Sequence, residues 1–183
     1  MEPLLVLPLL AFFVLLILFA LVLRRAGRFV AATRDTERFR RQVGDLAARV
    51  ESSLGEVSVR IDAVRRGQLG ADQLGDDVKA SLDAVSRYAD EARGFRPPER
   101  GIEIRDEIVA ELERSARALE MIEHGRAIQA SARSGGREVE AQTAIKRGYL
   151  NVLHAREAIA HQAQEAAAIS PADGRRRYQR RSA

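Results

Sequence analysis

Two hydrophobic patterns alternate along this chain, and they predict different kinds of helix. Residues 4–23 form an unbroken run of apolar or proline positions without a single charge. At about 1.5 Å per residue such a run reaches roughly 30 Å, the hydrocarbon thickness of a bilayer. Pro8 falls near its start, where a helix tolerates proline. Beyond it the pattern becomes periodic. Phe39, Val43, Leu46, Ala47, Val50, Leu54, Val57, Ile61 and Val64 recur in steps of three and four, the signature of one buried helical face. The stripe drifts off a strict heptad, which predicts a globular bundle in preference to an extended coiled coil. Gly27 is the one clear breaker between the two patterns, so the anchor and first helix are predicted to be nearly continuous over about sixty residues.

Three further amphipathic segments follow. Gly67 is the predicted C-cap of the first helix, and Asp72 the predicted N-cap of the second, which runs to Arg93 on Leu74, Val78, Leu82, Val85, Ala89 and Ala92. Gly94-Phe95-Arg96-Pro97-Pro98 breaks the chain. A third helix spans residues 99–132 with Ile104, Ile108, Leu112, Ala116, Leu119 and Ile122 inward. After Ser134-Gly135-Gly136 a fourth covers 137–168 on Val139, Ile145, Tyr149, Val152, Ile159 and Ala163. Short connections favour antiparallel neighbours. The expected fold is all-α: a single N-terminal transmembrane helix followed by an antiparallel bundle of about four helices. The expected divisions are an anchor (1–23), a basic juxtamembrane helix (24–41), the bundle (42–169) and a disordered basic tail (170–183).

Composition sharpens this picture. The chain has no cysteine and no tryptophan, and three of its six phenylalanines (Phe12, Phe13, Phe19) lie in the apolar run. The bundle must therefore pack on Ala, Leu, Ile and Val, and disulfides, thiolate metal sites and cysteine nucleophiles are excluded. The net charge of +4 is unevenly spread. Seven arginines stand between residues 24 and 41 against Asp35 and Glu37, and five more between 175 and 181. Residues 42–174 hold 18 basic and 23 acidic side chains, a net of −5. The high pI belongs to the flanks, which argues against nucleic acid as a partner.

Charge also predicts sidedness. Arginines close to one end of a span stay in the cytoplasm. The expectation is a single-pass protein of the cell membrane, N-terminus outside and helical domain cytoplasmic. Arg24, Arg25 and Arg28, with Arg175, Arg176 and Arg177 of the tail, are candidates for contact with anionic lipid headgroups. In an antiparallel four-helix bundle the tail emerges beside the first helix's entry, which brings both basic segments to one surface.

Chemistry-bearing motifs are few. His154, Glu157 and His161 share one helical face, but histidines seven residues apart sit about 10 Å apart along the axis. The di-iron bundle spacing is Glu-x-x-His, whereas Glu120 and His124, like Glu157 and His161, are four apart. The cluster Gly67, Gly70 and Gly75 lacks the Lys-Ser/Thr ending of a phosphate loop. Serines lack a nucleophile-elbow setting. No cofactor, metal or catalytic residue is expected. Arg156 falls near the apolar stripe of the fourth helix between Val152 and Ile159, where an arginine at a stripe edge commonly snorkels to water; the sharper reading marks it as a candidate partner surface that pairs with another helix, as in an oligomer. The expected function is a membrane-anchored helical interaction or scaffold protein without catalysis, with an unknown protein or a second copy as partner. The alternatives are a regulatory or signal-relay component at the membrane and, third, a helical metal-binding or enzymatic protein.

Overall fold

The computed structural model describes residues 3–131 and 136–170; before Thr33 it describes the side chains of Phe12, Phe13, residues 15–21 and Arg24. Within these limits all regular structure is helical and there is no strand. The long helices are α1 (Pro3–Arg65), α2 (Gly75–Arg93), α3 (Ile102–Ser131) and α4 (Glu138–Ala168). Single 3-10 turns at Ala71–Leu74 and Glu99–Gly101 lead into α2 and α3.

α1 runs unbroken for 63 residues and passes through Gly27 without a break, in keeping with the near-continuity expected of this stretch. Two residues beyond its end stands Gly67, whose φ of 70° places it in the left-handed region open to glycine. There Gln68 N–H donates to Ala63 C=O (2.8 Å) and Gly67 N–H to Val64 C=O (3.0 Å). These two bonds satisfy carbonyls that the helix end would leave orphaned. Asp72 does not cap α2. It lies inside the preceding 3-10 turn, and neither that turn nor α2 has a side-chain cap.

Contacts between helices fix the topology. Arg49 meets Glu91 and Arg60 meets Asp77, so α1 and α2 run antiparallel. Arg93 reaches Glu113 while Gly75 lies against Arg126, which sets α3 antiparallel to α2. Gly148 approaches Ile122 and Gln162 bonds Glu107 across α3 and α4. Arg156 bonds Glu51, closing the ring of α4 onto α1. The result is an up-down-up-down bundle.

Its core starts at Thr36 and Phe39 and takes in Val43, Leu46, Val50, Leu54, Val57 and Ile61 from α1, all 2% exposed or less from Phe39 onward. Each such aliphatic or aromatic side chain contributes about 1.5–3 kcal/mol relative to exposure. Phe39 plugs one end. Its ring meets Phe95 edge-to-face at 6.4 Å between centroids, and Gly101 at the start of α3 lies on it: a Cβ there would stand 2.7 Å from Phe39 Cε1. This end gathers the entry of α1, the α2–α3 connection and the exit of α4.

The α3–α4 seam is the most extensive among the described residues. Small residues line it: Ser115, Ala118 and Gly125 on α3 face Ala141, Gly148 and Ala155 on α4, all buried. Val139, expected inward, is 75% exposed. The inward row at the start of α4 passes through Ala141, Ile145 and Gly148, and Val139, six residues before Ile145, lies about 120° round the helix from it.

Candidate interaction surfaces

The most exposed apolar surface lies on α1 before the bundle. Phe12, Phe13, Leu15, Leu16, Ile17, Leu18, Phe19 and Leu21 are each between 45% and 67% exposed. Consecutive positions turn through about 100° each, so these side chains surround the helix. Among the described residues, however, no helix is long and apolar enough to cross a membrane. The described apolar positions of the run are nine, Phe12, Phe13 and 15–21, against the roughly 20 consecutive residues a span requires. The side chains of residues 4–11, 14, 22 and 23 lie outside the described set. The expected single-pass localisation in the cell membrane, with an outer N-terminus and a cytoplasmic domain, is overturned on this finding. Arg24 is exposed; the side chains of Arg25 and Arg28, and the whole of Arg175, Arg176 and Arg177, lie outside the described residues.

Arg156 has its partner within the chain. Its Nε donates to Glu51 Oε2 at 3.1 Å and its Nη2 to Oε1, a two-point clamp between α4 and α1. The guanidinium passes over Gly55, where a Cβ would come 4.0 Å from Nη2. The helix that Arg156 pairs with is thus α1 of its own chain. A second cation bridges the same helices, with Arg65 Cζ 4.6 Å from the Tyr149 ring centre. On the opposite side of α1, Arg49 stacks 5.2 Å from the Tyr88 ring and bonds Glu91 at 2.6 Å, and Ser53 shares a 3.0 Å bond with the Tyr88 hydroxyl.

Two grooves flank these seams. One, of about 560 Å³, opens between α1 and α2 beside Val57, Val59, Ala80, Ser81 and Ala84. Val59 stands 71% exposed there. Arg60 Nε lies 2.5 Å from Asp77 Oδ2 across it, but that oxygen receives no aligned N–H, so the contact is an ion pair without a hydrogen bond. The other groove, of about 570 Å³, lies where α3 begins and α4 ends. Glu103, Glu107 and Glu165 line it with Ile104 and Ile169; Arg100 is the one cation among its lining residues. Gln162 donates its amide to Glu107 and leaves its own Oε1 buried without a donor.

The resolved pKa shifts come from ion pairs at helix surfaces. Arg126 donates twice to Glu123 and holds that carboxyl below its ordinary range, while Glu123 raises Arg126. Arg137 lowers Glu140 in the same way. His124, His154 and His161 all lie on exposed faces, and His161 Nδ1 stands 3.9 Å from Glu165. Among the described residues no group of three acidic, histidine or cysteine side chains is placed to hold a metal ion.

The chain matches no protein-family model, no curated protein and no solved structure. The acidic groove escapes sequence reading because its three glutamates come from α3 and α4, some sixty residues apart. The only available signal is their position on the helix ends that an antiparallel pairing brings together.

Proposed function

We propose that this protein is a helical interaction or scaffold module that works by assembly and not by catalysis. The observation that carries the reading is the exposed apolar length of α1, where eight large side chains between Phe12 and Leu21 are at least 45% exposed. Monomeric proteins rarely leave a contiguous apolar patch of more than a few hundred Å² open to water. A surface apolar on every side of a helix fits burial among several helices, either copies of this chain or those of a protein partner. The bundle then serves as the folded body that the assembly displays.

Sedimentation velocity of the full chain in aqueous buffer tests this. The expected result is a dimer or larger species that Leu16→Arg with Phe19→Arg dissociates, at unchanged helicity. A native chain that stays monomeric at tens of micromolar, and captures no protein through this segment, overturns the reading.

A second reading, signal relay, draws on the continuity of α1. One helix joins the exposed apolar length to the bundle core without interruption at Gly44 or Gly55. A rotation imposed on its first turns is carried to Phe39 and Val43. Insertion of two alanines after Arg34 checks it: relay requires altered exchange protection at Phe95 and Gly101, and unaltered protection counts against it.

A further inference from the structure

The groove between the start of α3 and the end of α4 lies where the described chain runs out. Ala168 and Ile169 are part of its lining, and Ser170 follows directly. Thirteen residues remain, 171–183, with the sequence Pro-Ala-Asp-Gly-Arg-Arg-Arg-Tyr-Gln-Arg-Arg-Ser-Ala. We propose that this segment folds back and docks in the groove of its own chain, its arginines against Glu103, Glu107 and Glu165.

Three observations support that occupant. The first is charge. The groove presents three carboxylates against Arg100, while the segment carries five arginines and one aspartate. Among the described residues Glu103 and Glu107 form no ion pair, and Glu165 has only the 3.9 Å contact to His161, which attracts when that histidine is protonated. Asp62, Asp77, Asp90, Glu51, Glu91, Glu113 and Glu123, by contrast, already face arginines.

The second is reach. Arg175 is five residues beyond Ser170, and an extended chain covers about 3.3 Å per residue, or roughly 17 Å. The groove begins at Ile169 itself, so even a reversed path suffices. Gly174 directly precedes the arginines and permits that reversal.

The third is the mixed lining. Ile104 and Ile169 give the groove an apolar floor, and Tyr178 sits in the middle of the arginines with an aromatic ring to lay on it. Guanidinium groups pair with carboxylates in two-point contacts that a lysine tail would not match. Docking withholds the acidic groove and the basic segment from other partners at the same time.

The absence of cysteine makes the test clean. Gln179→Cys in the full chain accepts a single nitroxide label, whose mobility is read by electron paramagnetic resonance. Docking predicts an immobilised component at low salt that disappears at about 1 M salt, where the screening length falls to about 3 Å. Glu103→Gln with Glu107→Gln and Glu165→Gln should remove it at unchanged helicity. Glu103→Arg with Glu107→Arg should remove it as well, and adding Arg175→Glu, Arg176→Glu and Arg177→Glu to that variant should restore it. A label fully mobile at low salt overturns the proposal, as does an immobilised component that survives the neutralised groove. A component that grows with protein concentration also overturns it, since the segment then docks on a second copy.

Discussion

Gly148 of α4 lies directly against Ile122 of α3: a Cβ on the glycine would fall 2.5 Å from Ile122 Cγ1 and 2.7 Å from the Ala118 carbonyl oxygen. The carbonyl cannot give way without moving α3. Gly148→Ala is therefore expected to destabilise the bundle by about 1–3 kcal/mol, although alanine favours a helix by about 1 kcal/mol over glycine. Gly44 is the control, because a Cβ there meets nothing within 4 Å. Gly44→Ala should stabilise by up to about 1 kcal/mol. Thermal unfolding followed by circular dichroism reads both, and equal effects of the two substitutions would refute the close α3–α4 approach.

Phe39 closes the bundle end under Gly101 and against Phe95. Removing the ring leaves a cavity that the first turn of α3 cannot fill. Phe39→Ala should cost about 3–5 kcal/mol, with Phe39→Leu well below it. Hydrogen exchange of the Phe95 and Gly101 amides, which bond Ala92 and Pro98 carbonyls, should accelerate before that of the α3–α4 seam.

The clamp between Arg156 and Glu51 joins a side chain 22% exposed to one 58% exposed. Solvent screens such a pair, so a double-mutant cycle with Arg156→Ala and Glu51→Ala should give a coupling of at most about 1 kcal/mol. The coupling should shrink as salt rises. A coupling several times larger, insensitive to salt, would mean the pair is far drier than its exposure indicates.

Glu123 carries a pH dependence whose sign follows from Arg126. The hydrogen-bonded guanidinium lowers the carboxyl in the folded state, and burial opposes this more weakly. A folded-state pKa below the unfolded one gives stability that is present above the unfolded value and is lost as pH falls through the folded one. Urea midpoints of the native chain and of Glu123→Gln should therefore differ most near neutrality and converge in acid. A gap that widens toward low pH would reverse the assignment.

How much of this is legible from residues alone depends on side-chain size. The large apolar stripes of α1 and α2 read correctly because Phe39, Val43, Leu46, Val50, Leu54, Val78 and Val85 bury themselves at helical spacing and leave little choice of face. On α3 and α4 the large positions Ile104, Ile108, Leu112, Leu119, Ile122, Ile145, Val152 and Ile159 also bury as expected, but the small residues of the seam between them do not read in that way. Its inward positions include Ser115, Gly125, Ala141, Gly148 and Ala155, residues whose small volume is a virtue only when another backbone comes close, and no periodicity of large side chains marks them. Tyr149, next to the buried Gly148, is only partly buried. Arg156 could be placed beside the stripe, but its partner Glu51 is 105 residues away and comes from closure of the ring. The grooves depend on pairings of the same kind.

α1 contributes to the bundle core from Thr36 onward, yet its helix begins at Pro3. The 33 residues in between amount to about 50 Å of helix at 1.5 Å per residue. A helix of fixed pitch is a ruler with a dial: it sets both a stand-off distance and an angular phase between the apolar segment and Phe39. Removing seven residues from the intervening stretch would shorten the ruler by about 10 Å and turn the dial back by only about 20°, while removing five would shorten it less and turn it by about 140°. Distance and orientation can thus be varied almost independently in this protein, since both are written into the length of one uninterrupted helix.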